Sequence, residues 1–178
     1  MKISFWTKGL LAAAGSALFG LMFVNVAFAE VESVTAEVEW TDPVGISAPS
    51  PNLQFGLLDV NMGAAETVII SPDNPATVTD ASNNITGGSQ AAAEMTVTAT
   101  AAQTLTIQVG NITNNTGYTL GSFVCSYNNG ANTACQAAPY TPTSIASATL
   151  MVGATLTGDG AAAVGVRNGS FDVTVLYQ

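Results

Sequence analysis

The sequence of 178 residues contains no histidine and only three lysine or arginine residues. A protein without histidine lacks its commonest general base near neutral pH and its commonest metal ligand. Both lysines, Lys2 and Lys8, lie in the first eight residues, so no lysine nucleophile follows them. We therefore expect no catalytic residue, no cofactor and no metal centre, and predict that the protein is not an enzyme.

Positive charge is equally scarce. After residue 8 the chain carries twelve acidic side chains against one base, Arg167, which is a net side-chain charge of −11. Binding to phosphate backbones requires clustered lysine and arginine, so nucleic acid is excluded as a partner. The acids are scattered, which is typical of a solvated surface that keeps an exported protein in solution.

The first thirty residues predict export. Lys2 and Lys8 precede an apolar stretch from Gly9 to Phe28. At its end lies the small-x-small pattern Ala27-Phe28-Ala29, which a signal peptidase accepts. Such a stretch could also anchor in a membrane, but the next charge is Glu30 and no basic stop-transfer cluster follows. We predict that residues 1–29 are a cleaved signal peptide, that no transmembrane segment remains, and that the protein passes through the periplasm to the cell surface or beyond. Removing 29 of 178 residues leaves 149, a size that suits one domain over 30–178.

Cysteine is limited to Cys125 and Cys135. In an oxidising compartment an even pair at this spacing predicts one disulfide. Asn129-Gly130 between them is a strong hairpin-turn dipeptide, so the bridge should staple the two arms of a hairpin or its loop.

The remaining chain has no helical periodicity. Short alternating runs rich in threonine and valine recur between turn residues, which predicts an all-β fold, an Ig-like two-sheet sandwich of about nine or ten strands. The predicted strands cover residues 31–40, 53–60, 66–71, 77–79, 95–100, 104–109, 121–127, 148–157 and 170–177.

Both ends of this region alternate strictly. Near the start, one face of residues 31–40 carries Val34, Ala36, Val38 and Trp40. At the end, one face of the last strand carries Phe171, Val173, Val175 and Tyr177. Each pattern predicts a strand with one buried face.

These ends resemble a known class of surface proteins. The penultimate Tyr177, the alternation before it and Gly165, fourteenth from the end, resemble the C-terminal motif of chaperone–usher pilus subunits. The motifs Leu53-Gln54-Phe55-Gly56, Val152-Gly153-Ala154-Thr155-Leu156 and the closing strand are similar to a family of uncharacterised bacterial secreted domains. The resemblance implies a pilin-like sandwich whose C-terminal strand borders a groove that a neighbour's N-terminal strand fills.

Under that resemblance, residues 30–42 have two interpretations. They form the first strand of their own domain, which is the plainer arrangement, or a donor strand that pairs with another copy or another surface subunit. The cysteine pair also lies later in the chain than in typical pilins, and the segment lacks the glycine usual in a donor strand.

The sequence thus favours a secreted or cell-surface structural subunit, fimbria-like or part of an extracellular layer. The alternative is a monomeric adhesin or carbohydrate-binding module, and a carboxylate-dependent hydrolase comes last because most acids lie beside turns. Asp73 and Asp80, with asparagines nearby, also offer oxygen ligands that calcium could use.

Overall fold

A computed structural model describes Val38 and residues 40–178. The predicted signal peptide, and Val34 and Ala36 of the N-terminal alternation, lie outside these residues. The described chain is all-β, as predicted, and contains no helix. Its eleven strands are β1 (Gly45–Ile46), β2 (Leu57–Leu58), β3 (Thr67–Ile70), β4 (Val78–Asp80), β5 (Ile85–Gly87), β6 (Ala93–Thr98), β7 (Leu105–Thr113), β8 (Tyr118–Tyr127), β9 (Thr133–Ala134), β10 (Ser147–Gly158) and β11 (Ser170–Tyr177).

The strands form a two-sheet sandwich with a small accessory ribbon. The larger sheet has the order β1-β6-β10-β3-β4, and β8 with β9 joins it on the other edge of β10. In the second sheet β11 pairs with β7, and single bridges join Tyr140 to Ile107 of β7 and Thr143 to Thr104 just before it. The accessory ribbon is β2 paired with β5. Every strand pair among the described residues is antiparallel.

The long strand β10 organises the larger sheet. One edge pairs with β6 through Ser147–Val152 and then with β3 through Ala154–Thr157, while the other edge pairs with β8. The change of partner falls at Gly153, where a Cβ atom would collide with the carbonyl oxygen of Ile70 and lie 2.9 Å from the nitrogen of Pro72. Glycine therefore lets the end of β3 approach β10 more closely than any side chain would allow.

The core lies between the two sheets. Alternate side chains of β6, β7, β8 and β10 point inward and are 2% exposed or less: Val97, Leu105, Ile107, Val109, Phe123, Leu150 and Val152. Burying each aliphatic or aromatic side chain of this size contributes about 1.5–3 kcal/mol. The apolar residues that alternate along these strands in the sequence are thus the ones that fill the interior of the sandwich.

The disulfide forms as predicted. Cys125 and Cys135 are bonded with their Cα atoms 5.8 Å apart, and both are fully buried. They link β8 to the residue after β9, and these strands pair as Val124 with Ala134 and Cys125 with Thr133. The turn sits one residue earlier than the Asn129-Gly130 dipeptide suggests. Asn128 and Asn129 have positive φ angles, and the Gly130 amide donates to the carbonyl of Tyr127 at 3.0 Å.

The predicted strand over residues 53–60 is interrupted. Gln54 forms a single bridge with Ala91, and a regular pair returns only at Leu57–Leu58. Gly56 between them has a φ of 83°, and a Cβ there would lie 2.7 Å from the carbonyl oxygen of Gly87. The alternation of Leu53, Phe55 and Leu57 is real, but the left-handed glycine breaks the ladder.

We predict that Gly153→Ala lowers the free energy of unfolding by about 1–3 kcal/mol, because the added methyl group meets backbone atoms that cannot move aside. Urea denaturation would measure this. Gly110→Ala in β7 is the matched control, since nothing lies within 4 Å of a Cβ at that position. Equal stability of the two variants would contradict the close approach of β3 to β10.

We also expect that replacing both cysteines by alanine lowers the free energy of unfolding by about 2–3 kcal/mol, since the bridge closes a short loop in the unfolded chain. The comparison is urea denaturation of the oxidised protein against the Cys125→Ala, Cys135→Ala double variant. An unchanged midpoint would show that the bridge adds nothing to stability.

Candidate functional site: the outer edge of the C-terminal strand

Strand β11 is the last of the described strands and pairs with one other described strand, along one edge. It pairs with β7 from Ser170 opposite Thr113 to Tyr177 opposite Leu105, with an irregularity between Ser170 and Asp172. Among residues 40–178 no strand pairs with its second edge. Such an edge presents backbone N–H and C=O groups that can pair with a further strand.

The inward face of β11 is incompletely covered. Val175 is buried at 9% exposure, whereas Phe171, Val173 and Tyr177 are only half-buried. On the adjacent strand β7, the inward residues Leu105 and Ile107 are fully buried. Within the described residues, the interior of the sandwich is therefore closed over β7 and less completely covered beside β11.

The half-buried residues still contact the core. The ring of Phe171 lies with its centroid 4.7 Å from that of Phe123, at an angle of 55° between the planes. Tilted contacts of this kind are favourable for aromatic pairs. The structure thus brings all four residues predicted on this face together on one side of β11, and none of them faces outward.

The hydroxyl group of Tyr177 closes one end of this opening. It accepts a hydrogen bond from the Thr100 amide at 2.6 Å and donates one to the Asp42 carbonyl at 2.8 Å. The Asp42 amide in turn donates to the Thr100 hydroxyl at 2.8 Å. Both backbone groups of Asp42 are thereby held at the Tyr177 end of β11, just before β1 begins.

These partners were not predicted from the sequence. Asp42 and Thr100 are 58 residues apart, and Asp42 and Tyr177 are 135 residues apart. No local pattern signals contacts of that range. The only clue was the penultimate position of Tyr177, which the resemblance to pilus subunits singled out.

The predicted N-terminal strand is represented by two described residues. Val38 is 69% exposed and Trp40 is 89% exposed, and neither lies in a strand. The pairing of residues 31–40 as a whole lies outside the described residues, so both interpretations of this segment stay predictions.

Several of the acidic side chains accept hydrogen bonds from backbone amides, as turn residues do. Asp59 accepts from the Asn61 amide at 2.8 Å, Glu66 from Gly63 at 2.7 Å, and Asp159 from Gly117 at 3.0 Å. Within residues 40–178 no group of three histidine, cysteine, aspartate or glutamate side chains is placed to hold a metal ion. These carboxylates stabilise loops.

The two aspartates considered for calcium have separate partners. Asp73 accepts from the side-chain amide of Asn132 at 2.9 Å, whereas Asp80 accepts from the Ile85 amide at 2.7 Å. Burial acts to raise the pKa of Asp80, but hydrogen bonds from Ile85, Asn84 and Ser82 outweigh it and leave that pKa below its usual value. Asp80 is therefore a loop cap held in its charged form.

Fold and edge together define the class: an all-β sandwich with a disulfide, in which no described strand pairs with the outer edge of the final strand. Residues 46–177 match the family described as a domain of unknown function, DUF4402, and the chain belongs to that family. No curated protein and no solved structure gives a significant match.

Two observations bear on location. The disulfide fits an exported, non-cytoplasmic protein, because such bonds persist in oxidising compartments. Among the described residues, no helix has the length and apolar character needed to cross a membrane.

We predict that Tyr177→Phe lowers the free energy of unfolding by about 1–2 kcal/mol, because the Thr100 amide and the Asp42 carbonyl both lose a partner. Amide hydrogen exchange should accelerate at Thr100, which tests the assigned contact directly. Thr174→Ala, on the exposed face of the same strand, is the control. Unchanged exchange at Thr100 in Tyr177→Phe would contradict the assignment.

Proposed function

We propose that this protein is an exported structural subunit of a cell surface, fimbria-like or part of an extracellular layer, and that copies assemble by adding a strand along β11. The single observation that carries the proposal is the outer edge of β11, which has no strand partner among the described residues although its inward face borders the core. Family membership neither adds to nor limits this proposal.

Strand addition would satisfy two needs at once. An added strand would pair with the backbone groups on the outer edge of β11, and its alternate side chains would cover Phe171, Val173 and Tyr177. Edge strands of this length are normally protected by charge, proline or a covering element. The outward face of β11 carries one acid, Asp172, and an exposed leucine, Leu176. These residues do little to prevent another strand from pairing with the edge of β11.

The N-terminal segment has the composition of such a strand. It alternates apolar residues, Val34, Ala36, Val38 and Trp40, with polar or acidic ones over residues 34–40. In the sequence these residues come before the first described strand, which begins at Gly45. Residues 31–40 of another copy are therefore a suitable partner for β11.

A binding module is the second candidate, and one observation favours it. A polar hollow is lined by Pro72, Asp73, Asn74, Ser126, Asn129 and Gly130. Amide and carboxylate groups in such a hollow can hydrogen-bond a sugar's hydroxyl groups. A reproducible hit on a glycan array by the monomeric protein would support this candidate.

The proposal is tested with protein purified after export. We predict that Val34→Asp weakens self-association, measured by sedimentation velocity over a range of concentrations, by about tenfold or more, because a charge would be carried into an apolar groove. Thr35→Asp is the matched control: it adds the same charge on the opposite face of the segment and should associate like the wild type.

A synthetic peptide of residues 30–41 provides the complementary measurement. It should bind the Val34→Asp protein, whose groove it can fill, with a change in the fluorescence of the peptide's Trp40. If the wild-type protein stays monomeric at high concentration and Val34→Asp only lowers its stability, the segment completes its own domain and the proposal is wrong.

A further inference from the structure

The loop between β10 and β11, residues 159–169, is firmly held at its base and projects at its tip. The Asp159 carboxylate accepts from the amides of Gly117 at 3.0 Å and Ala161 at 2.8 Å. The Asn115 side chain donates to the carbonyl of Asn168 at 3.3 Å. Between these anchors Val164 and Val166 are each 88% exposed, and Arg167 beside them is exposed as well.

The tip is chemically unlike the rest of the surface. Arg167 is the only basic residue after Lys8, and it lies next to the two exposed valines. Isolated exposed valines are ordinary, but two flanking a glycine at the tip of an anchored loop form a small apolar contact surface. The tip therefore suits a partner that is both apolar and acidic.

The N-terminal segment has that composition. Five of the twelve acids lie in residues 30–42: Glu30, Glu32, Glu37, Glu39 and Asp42. Exposed apolar residues accompany them, since Val38 and Trp40 are 69% and 89% exposed. A second copy of this chain thus offers the complement of the loop tip in charge and in hydrophobicity.

The anchoring of Asp42 decides which end of that segment can reach the loop. Asp42 is bonded beside Tyr177, whereas the loop leads into β11 at the opposite end, at Ser170. Those ends are about 23 Å apart in an extended strand, and the two steps from Trp40 to Asp42 span at most about 7 Å. If the N-terminal segment of a chain lay along β11 of the same chain, the two strands would therefore run parallel to each other. Trp40 would then lie at the Tyr177 end of β11, far from the loop.

A segment from a second copy has no such restriction. It can run antiparallel to β11, which is the slightly more stable pairing and the one used throughout the described sheets. The Glu39–Trp40 end of the segment then emerges at the Ser170 end of β11, beside the loop. In a parallel arrangement the Glu30–Glu32 end would lie there.

We propose that the loop of residues 159–169 docks the N-terminal segment of a second copy, and that Arg167 pairs with Glu39 of that copy and so selects antiparallel strand addition. The inference rests on the proposed function and adds to it the direction of the subunits. Repeating a contact between two different surfaces in this way gives a head-to-tail assembly, which is a ring if the rotation between subunits closes and a filament if it does not.

The test is a charge-reversal series in the full exported protein. Arg167→Glu should weaken self-association by about fivefold, since an exposed ion pair becomes a repulsion. Adding Glu39→Arg should restore the association. Adding Glu32→Arg instead gives the same net charge and should not restore it. Sedimentation velocity measures association, and urea denaturation of each variant should show unchanged stability because the loop tip is exposed.

The outcomes separate this inference from the proposed function. Rescue by Glu39→Arg alone supports it, whereas rescue by Glu32→Arg alone overturns the antiparallel direction. If Val34→Asp abolishes association while Arg167→Glu leaves it unchanged, the loop contact is wrong and strand addition stands. If the wild-type protein does not associate, both are wrong.

Discussion

Hydrogen bonding along the edges of β-strands is the constraint on which this structure depends. Strand β10 satisfies both edges, with β6 and then β3 on one side and β8 on the other. This arrangement requires Gly153, because two strands must follow one another along the same edge without a side chain between them. The larger sheet is consequently complete at its centre, and its buried face supports the smaller sheet.

Within residues 40–178 the outer edge of β11 has no strand partner. Its inward residues pack against the core, yet Phe171 and Tyr177 are half-buried in the part of the chain that the structure describes. Strand β11 thus contributes to the core while its outer edge lacks a partner among the described strands. This is why the proposed function places the interaction at an edge of the fold and not in a pocket.

Much of the fold could be predicted because it depends on local, period-two patterns. The closing strand was predicted with its bounds, Ser170–Tyr177, and the hairpin around Cys125 and Cys135 was predicted with its disulfide. Prediction failed where close packing between segments distant in the sequence overrides the alternation of apolar and polar residues. Gly56 breaks the strand expected over residues 53–60, and the short β1, β5 and β9 carry too few residues to show alternation.

The candidate site divides in the same way. The sequence by itself determined that Phe171, Val173, Val175 and Tyr177 share one face, since alternation is a property of consecutive residues. The sequence also showed that Arg167 is the only basic residue after Lys8. Only the tertiary structure decided that no described strand pairs with the outer edge of β11 and that Asp42 is held beside Tyr177. Such contacts join residues far apart in the chain, and strand order is a consequence of packing that no local pattern encodes.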